Sequence, residues 1–325
     1  MFNAKITGTG MYVPKNLVTN ADIEAITGKS LEKFAERIGI KQRYVTGPDE
    51  STADMATFAG QNAIADAGLT PADIDLVVVA TDTPEYVTPP TAIVVQGRLQ
   101  AVNAGAFDIN GACSGFVAAY DVVARMVKTG GYKNALLIGV YNMTKFAEKT
   151  DAIFADGAGA VVISQTTEED TGFKASYLYA DGTQYDFLGI YGGGAKYPIQ
   201  KAENVDQLYN NTLTSLKPLP GDRNVKLWPV VVKTLLDKEG LKYEDIDFVI
   251  FTQINKSVIV QVMEILGLPM EKTACTMDQY GYTGSGCIPI ALHTALKEGR
   301  IKKGDNVVLV ASGAGLAVAS ALMKW

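Results

Sequence analysis

The chain has 325 residues, 47% hydrophobic and 20% charged, with 29 Lys and Arg against 35 Asp and Glu for a net charge of −6. This acidic balance offers no basic footprint for DNA or RNA, and no apolar run reaches the ~18 residues of a membrane span. Three cysteines (Cys113, Cys275, Cys287) are too few for a disulfide framework, and a single histidine, His293, excludes a His-rich metal centre.

The opening Met1-Phe2-Asn3-Ala4-Lys5 lacks the apolar core of a signal peptide, so a cytoplasmic location is expected. The first strong pattern is GLTPADIDLVVVAT at residues 68–81. A helix ends at Gly68, an acidic turn follows, and the Val-rich run reads as a strand buried on both faces. AFDINGACSG at 106–115 then predicts a strand over 106–109, a turn through Gly111 and Cys113, and a helix beginning near Ser114. Phe116, Ala119, Tyr120, Val123, Met126 and Val127 share one face of that helix. KNALLIGVYN at 133–142 is the next strand. DGAGAVV at 156–162 fits neither GxGxxG nor GxxxxGK[ST], so close backbone packing is expected there rather than phosphate binding. Residues 185–222, with three consecutive glycines at 192–194, read as an irregular connection.

Beyond this connection the same units return. GLKYEDIDFVIFTQ at 240–253 superposes without gaps on the first pattern at a constant offset of 172, from 68 to 240. TMDQYGYTGS at 276–285 answers AFDINGACSG, and DNVVLVASGA at 305–314 answers KNALLIGVYN. The helix between them places Ile288, Ala291, Leu292 and Ala295 on its apolar face, with His293 on the polar side beside Lys297 and Arg300 as an expected surface residue. Ordered repeats predict two α/β halves, residues 1–170 and 171–325, related by a pseudo-twofold and stacked as helix, sheet, helix, sheet, helix.

Cys113 stands where a strand hands over to a helix. The positive end of that helix favours thiolate, and Gly111 and Gly115 permit a tight turn, which together make a nucleophile elbow built on sulfur. Local context alone leaves an inert packed cysteine equally open. Cys275 and Cys287 read as packing residues, with Cys287 close to the glycine-rich turn GYTGSG.

DINGACSGF around Cys113, RIGIKQR at 37–43, VVVATDTPEYVTPPTAIVVQGRL at 77–99, FADGAGAVV at 154–162 and the C-terminal GAGLAVASALMKW follow one another in order. In these runs the chain resembles the β-ketoacyl-ACP synthase III branch of the thiolase superfamily over its whole length. The resemblance implies a thiolase-like αβαβα homodimer whose cysteine is acylated by an acyl-CoA substrate, with no permanently bound cofactor and no metal. It places an oxyanion hole at the backbone N–H groups of Cys113 and Ala314.

The same alignment exposes departures. The family's His-Gln-Ala-Asn motif reads Thr252-Gln253-Ile254-Asn255 here, and the Asn of its Asn-Thr-Ser turn is replaced by Tyr282. Both donors that steady a decarboxylation enolate are therefore missing, at a typical cost of ~10²- to 10³-fold for each oxyanion donor. Thr252, Asn255 and Tyr282 are expected to line the acceptor site, with Thr252 and Tyr282 as weak hydroxyl donors. Lys33, and Glu148 opposite it, stand where the family stacks the CoA adenine. Ser257 and Glu264 replace basic residues for the acyl carrier protein, which makes that partner doubtful. Three functions follow: a divergent condensing enzyme, an acyltransferase or thioesterase serving an alcohol, amine or water, and a weakly active partner subunit of an active relative.

Overall fold

The computed structural model describes residues 2–148, 150–198 and 212–325. The first part of the chain forms β1 (Asn3–Tyr12), β2 (Asn16–Thr19), α1 (Asn20–Thr27), α2 (Glu32–Ile38), β3 (Gln42–Val45) and α3 (Thr52–Asp66). It continues through β4 (Leu76–Ala80), α4 (Thr91–Leu99), β5 (Gly105–Ile109), α5 (Gly115–Lys128), β6 (Asn134–Asn142) and β7 (Asp156–Thr166). After these come β8 (Gly172–Ala180), β9 (Leu188–Gly189), β10 (Thr214–Ser215), α6 (Arg223–Asp237) and β11 (Phe248–Phe251). The chain ends with α7 (Lys256–Leu266), α8 (Met277–Tyr280), α9 (Cys287–Lys297), β12 (Asn306–Gly313) and β13 (Ala317–Lys324).

Two sheets carry the architecture, ordered β1-β7-β6-β4-β5 and β11-β12-β13-β8. The repeat of the sequence sets their centres. β4 runs parallel to β5 and β6, β11 runs parallel to β12, and both repeat strands are buried along their whole length. Matching side chains lock each repeat. Asp75 accepts from the backbone of Lys133 and Asn134, and Asn134 Nδ2 donates to Asp73 O at 3.0 Å. Asp247 accepts from Asn306 N, and Asn306 Nδ2 donates to Asp245 O at 2.8 Å.

Strands buried on both faces need helices on both sides, where each fully buried Val, Leu or Phe is stabilised by roughly 1.5–3 kcal/mol. Small residues of α3, including Ala56, Ala59 and Ala63, cover Val77, Val79 and Ile138 on the outside of the first sheet together with α4. α5 and α9 fill the space between the sheets, and α6 and α7 close the far side through Trp228, Val232, Leu235, Ile259 and Val262. The result is the αβαβα layering of the thiolase fold.

Two expectations are corrected, and the irregular connection is kept. The 276–279 segment answering β5 is not a strand but turns into the short α8, so among the described residues the second sheet has one strand fewer. The connection at 185–222 is irregular as expected where described, apart from the two-residue strands β9 and β10, which pair as an antiparallel ribbon; residues 199–211 of it lie outside the described residues. His293 is not a solvated surface residue. Because α9 lies in the middle layer against β1, the ring is half-buried and its Nδ1 lies 2.8 Å from Thr9 Oγ1. Burial, reinforced by Lys297, lowers its pKa.

Candidate active site

β5 delivers the chain to Asn110, and the next residues reverse it into α5. Ala112 takes φ +47, a left-handed conformation rarely adopted by a residue with a Cβ. Local hydrogen bonds hold it there: Ala112 N donates to Asn110 Oδ1, and Ser114 Oγ donates to Gly111 O at 2.7 Å. Ser285, from the other half, donates to Ala112 O at 3.0 Å. The turn is thus clamped from both halves, and Cys113 is presented half-buried on the wall of a cavity of about 260 Å³.

The cavity joins the halves. The first contributes Asp82, Cys113, Tyr141 and Phe154; the second contributes Arg223, Thr252, Tyr282 and the glycine turn at 313–315. Phe187, Leu188 and Leu213 of the ribbon cover it. Tyr141, Phe154 and Tyr282 form a ring cluster with centroids 6.0 to 6.3 Å apart. Tyr282 is positioned by a backbone bridge across the halves, in which its N–H donates to Ile153 O and its carbonyl accepts from Ala155 N. Tyr141 and Tyr282 line the cavity with Cys113, and burial pushes both phenols well above their usual range. They therefore remain neutral O–H donors in the cavity.

Electrostatics overturn the expected thiolate. Burial, with the Asp82 charge next, pushes the Cys113 thiol far above its ordinary value. Desolvation is the main cause, the sulfur sharing the cavity wall with Tyr141, Phe154 and Tyr282. The resting residue is a thiol, so its chemistry needs a proton acceptor. Asp82 is in the same cavity, just beyond the end of β4. Its Oδ1 is buried with no hydrogen-bond partner among the described residues, and burial raises its pKa to about 6. An orphaned buried oxygen typically costs about 1–3 kcal/mol, so it is expected where a reaction uses it. Asp82 was not singled out in sequence, although a lone carboxylate in ATDT directly after the buried Val-rich strand was the available signal.

Thr252 and Tyr282 line the cavity, as does Ala314. Thr252 Oγ1 accepts the Ser312 N–H at 2.9 Å, which ties the end of β11 to the glycine turn. Ser312 Oγ in turn accepts from Trp228 Nε1 at 2.6 Å. Thr252→Val should therefore leave a buried amide unsatisfied and lower stability by about 1–3 kcal/mol, while Thr252→Ser stays near the parent; denaturant midpoints check this. Asn255 does not line the cavity. Its Oδ1 caps α7, accepting from Ser257 N, Ser257 Oγ and Val258 N, and Ile254 takes the place on the wall. The Asn at the start of a helix was a capping signal in the sequence.

Lys33 lies exposed on α2 and is not among the cavity-lining residues; Glu148 lines a separate groove with Arg43 and Thr46. Ser257 is engaged in the α7 cap, and Glu264 is exposed farther along that helix. Cys287 is buried at the start of α9 with its thiol pushed up to about 12, and Cys275 is half-buried and pushed up to about 11, both by burial. DGAG is structural, since buried Asp156 accepts from the backbone and hydroxyl groups of Thr46 and Thr144.

Residues 107–182 match the family described as 3-oxoacyl-[acyl-carrier-protein (ACP)] synthase III, and residues 236–325 match its C-terminal domain. A β-ketoacyl-[acyl-carrier-protein] synthase III of Clostridium perfringens is 40% identical over 100% of both chains. The enzyme of the same name from Caldanaerobacter subterraneus is 38% identical over 99% of this chain and 98% of its own. Among solved structures, the 3-oxoacyl-[acyl-carrier-protein] synthase III of Aquifex aeolicus superposes with a TM-score of 0.87 at 35% identity, covering 99% of this chain and 100% of that one. A priming β-ketosynthase of the R1128 polyketide pathway superposes at 0.89 with 28% identity, over 99% and 96%. With a sulfur elbow at the seam of two repeated halves and relatives matched end to end, this chain belongs to the 3-oxoacyl-[acyl-carrier-protein] synthase III family, the condensing branch of the thiolase superfamily.

Proposed function

We propose that Cys113 accepts an acyl group from an acyl-CoA and passes it to a carbon nucleophile, so that the protein is a divergent condensing acyltransferase. The observation that carries this is the placing of a thiol, an unpartnered carboxylate oxygen and two phenol donors in one cavity. In the first step the Cys113 proton passes to Asp82 as sulfur attacks the thioester carbon. The S–C bond forms, the oxyanion is held by the N–H groups of Cys113 and Ala314, and CoA leaves as the thiol after taking the proton back. In the second step the enolate carbon of the acceptor attacks the acyl carbon, and the C–C bond forms as the S–C bond breaks. Cys113 takes a proton to leave as the thiol, with Tyr141 and Tyr282 donating to the enolate oxygen in place of the missing His and Asn. Asp82 supplies the base for an acceptor that must lose a C–H proton. Transfer to an alcohol, amine or water is the second reading, favoured because the Thr252 hydroxyl is a weaker donor to an enolate than the His it replaces.

The test is intact mass after incubation with a panel of acyl-CoAs. The acyl increment should appear on the parent protein and be absent from Cys113→Ala; no labelling by any thioester, or labelling that survives in the variant, overturns the reading. Discharge of the acyl-enzyme by malonyl-CoA then separates the outcomes. Carbon dioxide and a carbon-carbon bonded product mark condensation, whereas an ester, amide or free acid marks simple transfer.

A further inference from the structure

We infer that Arg223 is a carboxylate anchor inside the reaction cavity, so that one of the two substrates brought to Cys113 carries a free carboxylate besides its reacting carbon. The inference rests on the reading of Cys113 as acyl acceptor. Arg223 begins α6 and lines the cavity from the second half, while Asp82 lines it from the first. The two are the cavity's charged residues among the described ones.

A half-buried guanidinium is normally paired, because it stays ionised and loses hydration. Here the neighbouring Asp222 pairs with Lys226, and Asp186 pairs with Lys217 at 2.6 Å. Among the described residues no carboxylate lies within ion-pair distance of Arg223, whose partner is the neutral Gln184 Oε1 at 3.3 Å. The next residue, Asn224, also lines the cavity. A planar guanidinium fork whose hydrogen bond among the described residues goes to a neutral amide suits a planar anion held by two parallel bonds. Cys113 and Tyr282 line the same cavity as Arg223, which puts it beside the reacting end of a thioester. The pantetheine arm keeps the phosphates of CoA away from that end, so a carboxylate is the fitting anion.

The first measurement needs no acylation. Cys113 is alkylated in separate runs with iodoacetate and iodoacetamide, near-isosteres differing in charge, and peptide mapping reads the rate at that residue. The ratio of the two rates should fall about 10- to 100-fold in Arg223→Met and recover in part in Arg223→Lys. The iodoacetamide rate itself reports that the variants keep the site intact, and a ratio unchanged in Arg223→Met overturns the anchor.

The second measurement identifies the carboxylate's source. In the donor arm, labelling by succinyl-CoA is compared with labelling by its methyl ester; in the acceptor arm, the KM of malonyl-CoA for discharging acetylated enzyme is compared between the parent and Arg223→Met. A free-acid preference lost in Arg223→Met, or a malonyl-CoA KM raised in it, supports the anchor and assigns the carboxylate to that substrate. No effect of Arg223→Met in either arm overturns it, whatever the alkylation ratio. Failure of the underlying function looks different, since then neutral acyl-CoAs also leave Cys113 unlabelled.

Discussion

Asp82→Asn should slow acylation of Cys113 by about 10²- to 10⁴-fold and at the same time make the folded protein more stable. Both effects come from one oxygen. With its Oδ1 buried and unpartnered among the described residues, the carboxyl is held up to about 6 in the folded state by desolvation, against an ordinary value of 3.8. The native state therefore favours the protonated form more than the unfolded chain does. Above about pH 6 the ionised group costs the fold about 3 kcal/mol, a penalty that fades as pH falls from about 6 to about 4. An asparagine carries no such penalty. Denaturation at about pH 8 should show the variant more stable by a few kcal/mol, and the two proteins should converge near pH 4. The parent's acylation rate should rise with pH through about 6, following Asp82. A variant equally active, or a stability difference independent of pH, would remove Asp82 from the mechanism.

Gly313→Ala should damage the site as much as the fold. A Cβ at this position would lie 2.6 Å from Gly111 O and 3.0 Å from Cys113 N, both backbone atoms of the nucleophile turn. Neither atom yields cheaply, because Ala112 is already in a left-handed conformation and is fastened to Asn110 and Ser285. The turn must separate from the elbow, which widens the space between the Cys113 and Ala314 amides. Loss of one oxyanion donor predicts about 10²- to 10³-fold slower acylation, and overpacking predicts a loss of about 1–3 kcal/mol. Intact-mass kinetics with any acyl-CoA that labels the parent, set beside denaturant midpoints, checks both. Full-speed acylation in this variant would show that the glycine turn does not contribute to the oxyanion site.

Close approach of the halves also appears at Gly139 on β6, where a Cβ would meet Ser285 O at 2.3 Å. Ser285 is the residue that donates to Ala112 O, so the packing that joins the halves is the packing that shapes the elbow. This coupling explains why substitutions at the seam are expected to change activity and stability together.

Much of this molecule could be read along the chain because its governing patterns are local. The duplicated GLTPADIDLVVVAT and GLKYEDIDFVIFTQ became β4 and β11, since runs of β-branched residues between turn signals leave a strand buried on both faces as their best packing. The spacing Gly111, Cys113, Gly115 likewise announced the elbow between β5 and α5. What escaped the linear reading depends on groups that meet only after folding. Burial beside the cavity pushes the Cys113 thiol up, against what the helix start suggested. The cap of α7 withdraws Asn255 from the cavity, and a middle-layer position half-buries His293. Asp82 and Arg223, 141 positions apart from 82 to 223, look like ordinary charges on paper. They acquire chemical meaning because the two halves close one low-dielectric cavity around both, and the strength of a charge is set by the surroundings that assembly creates.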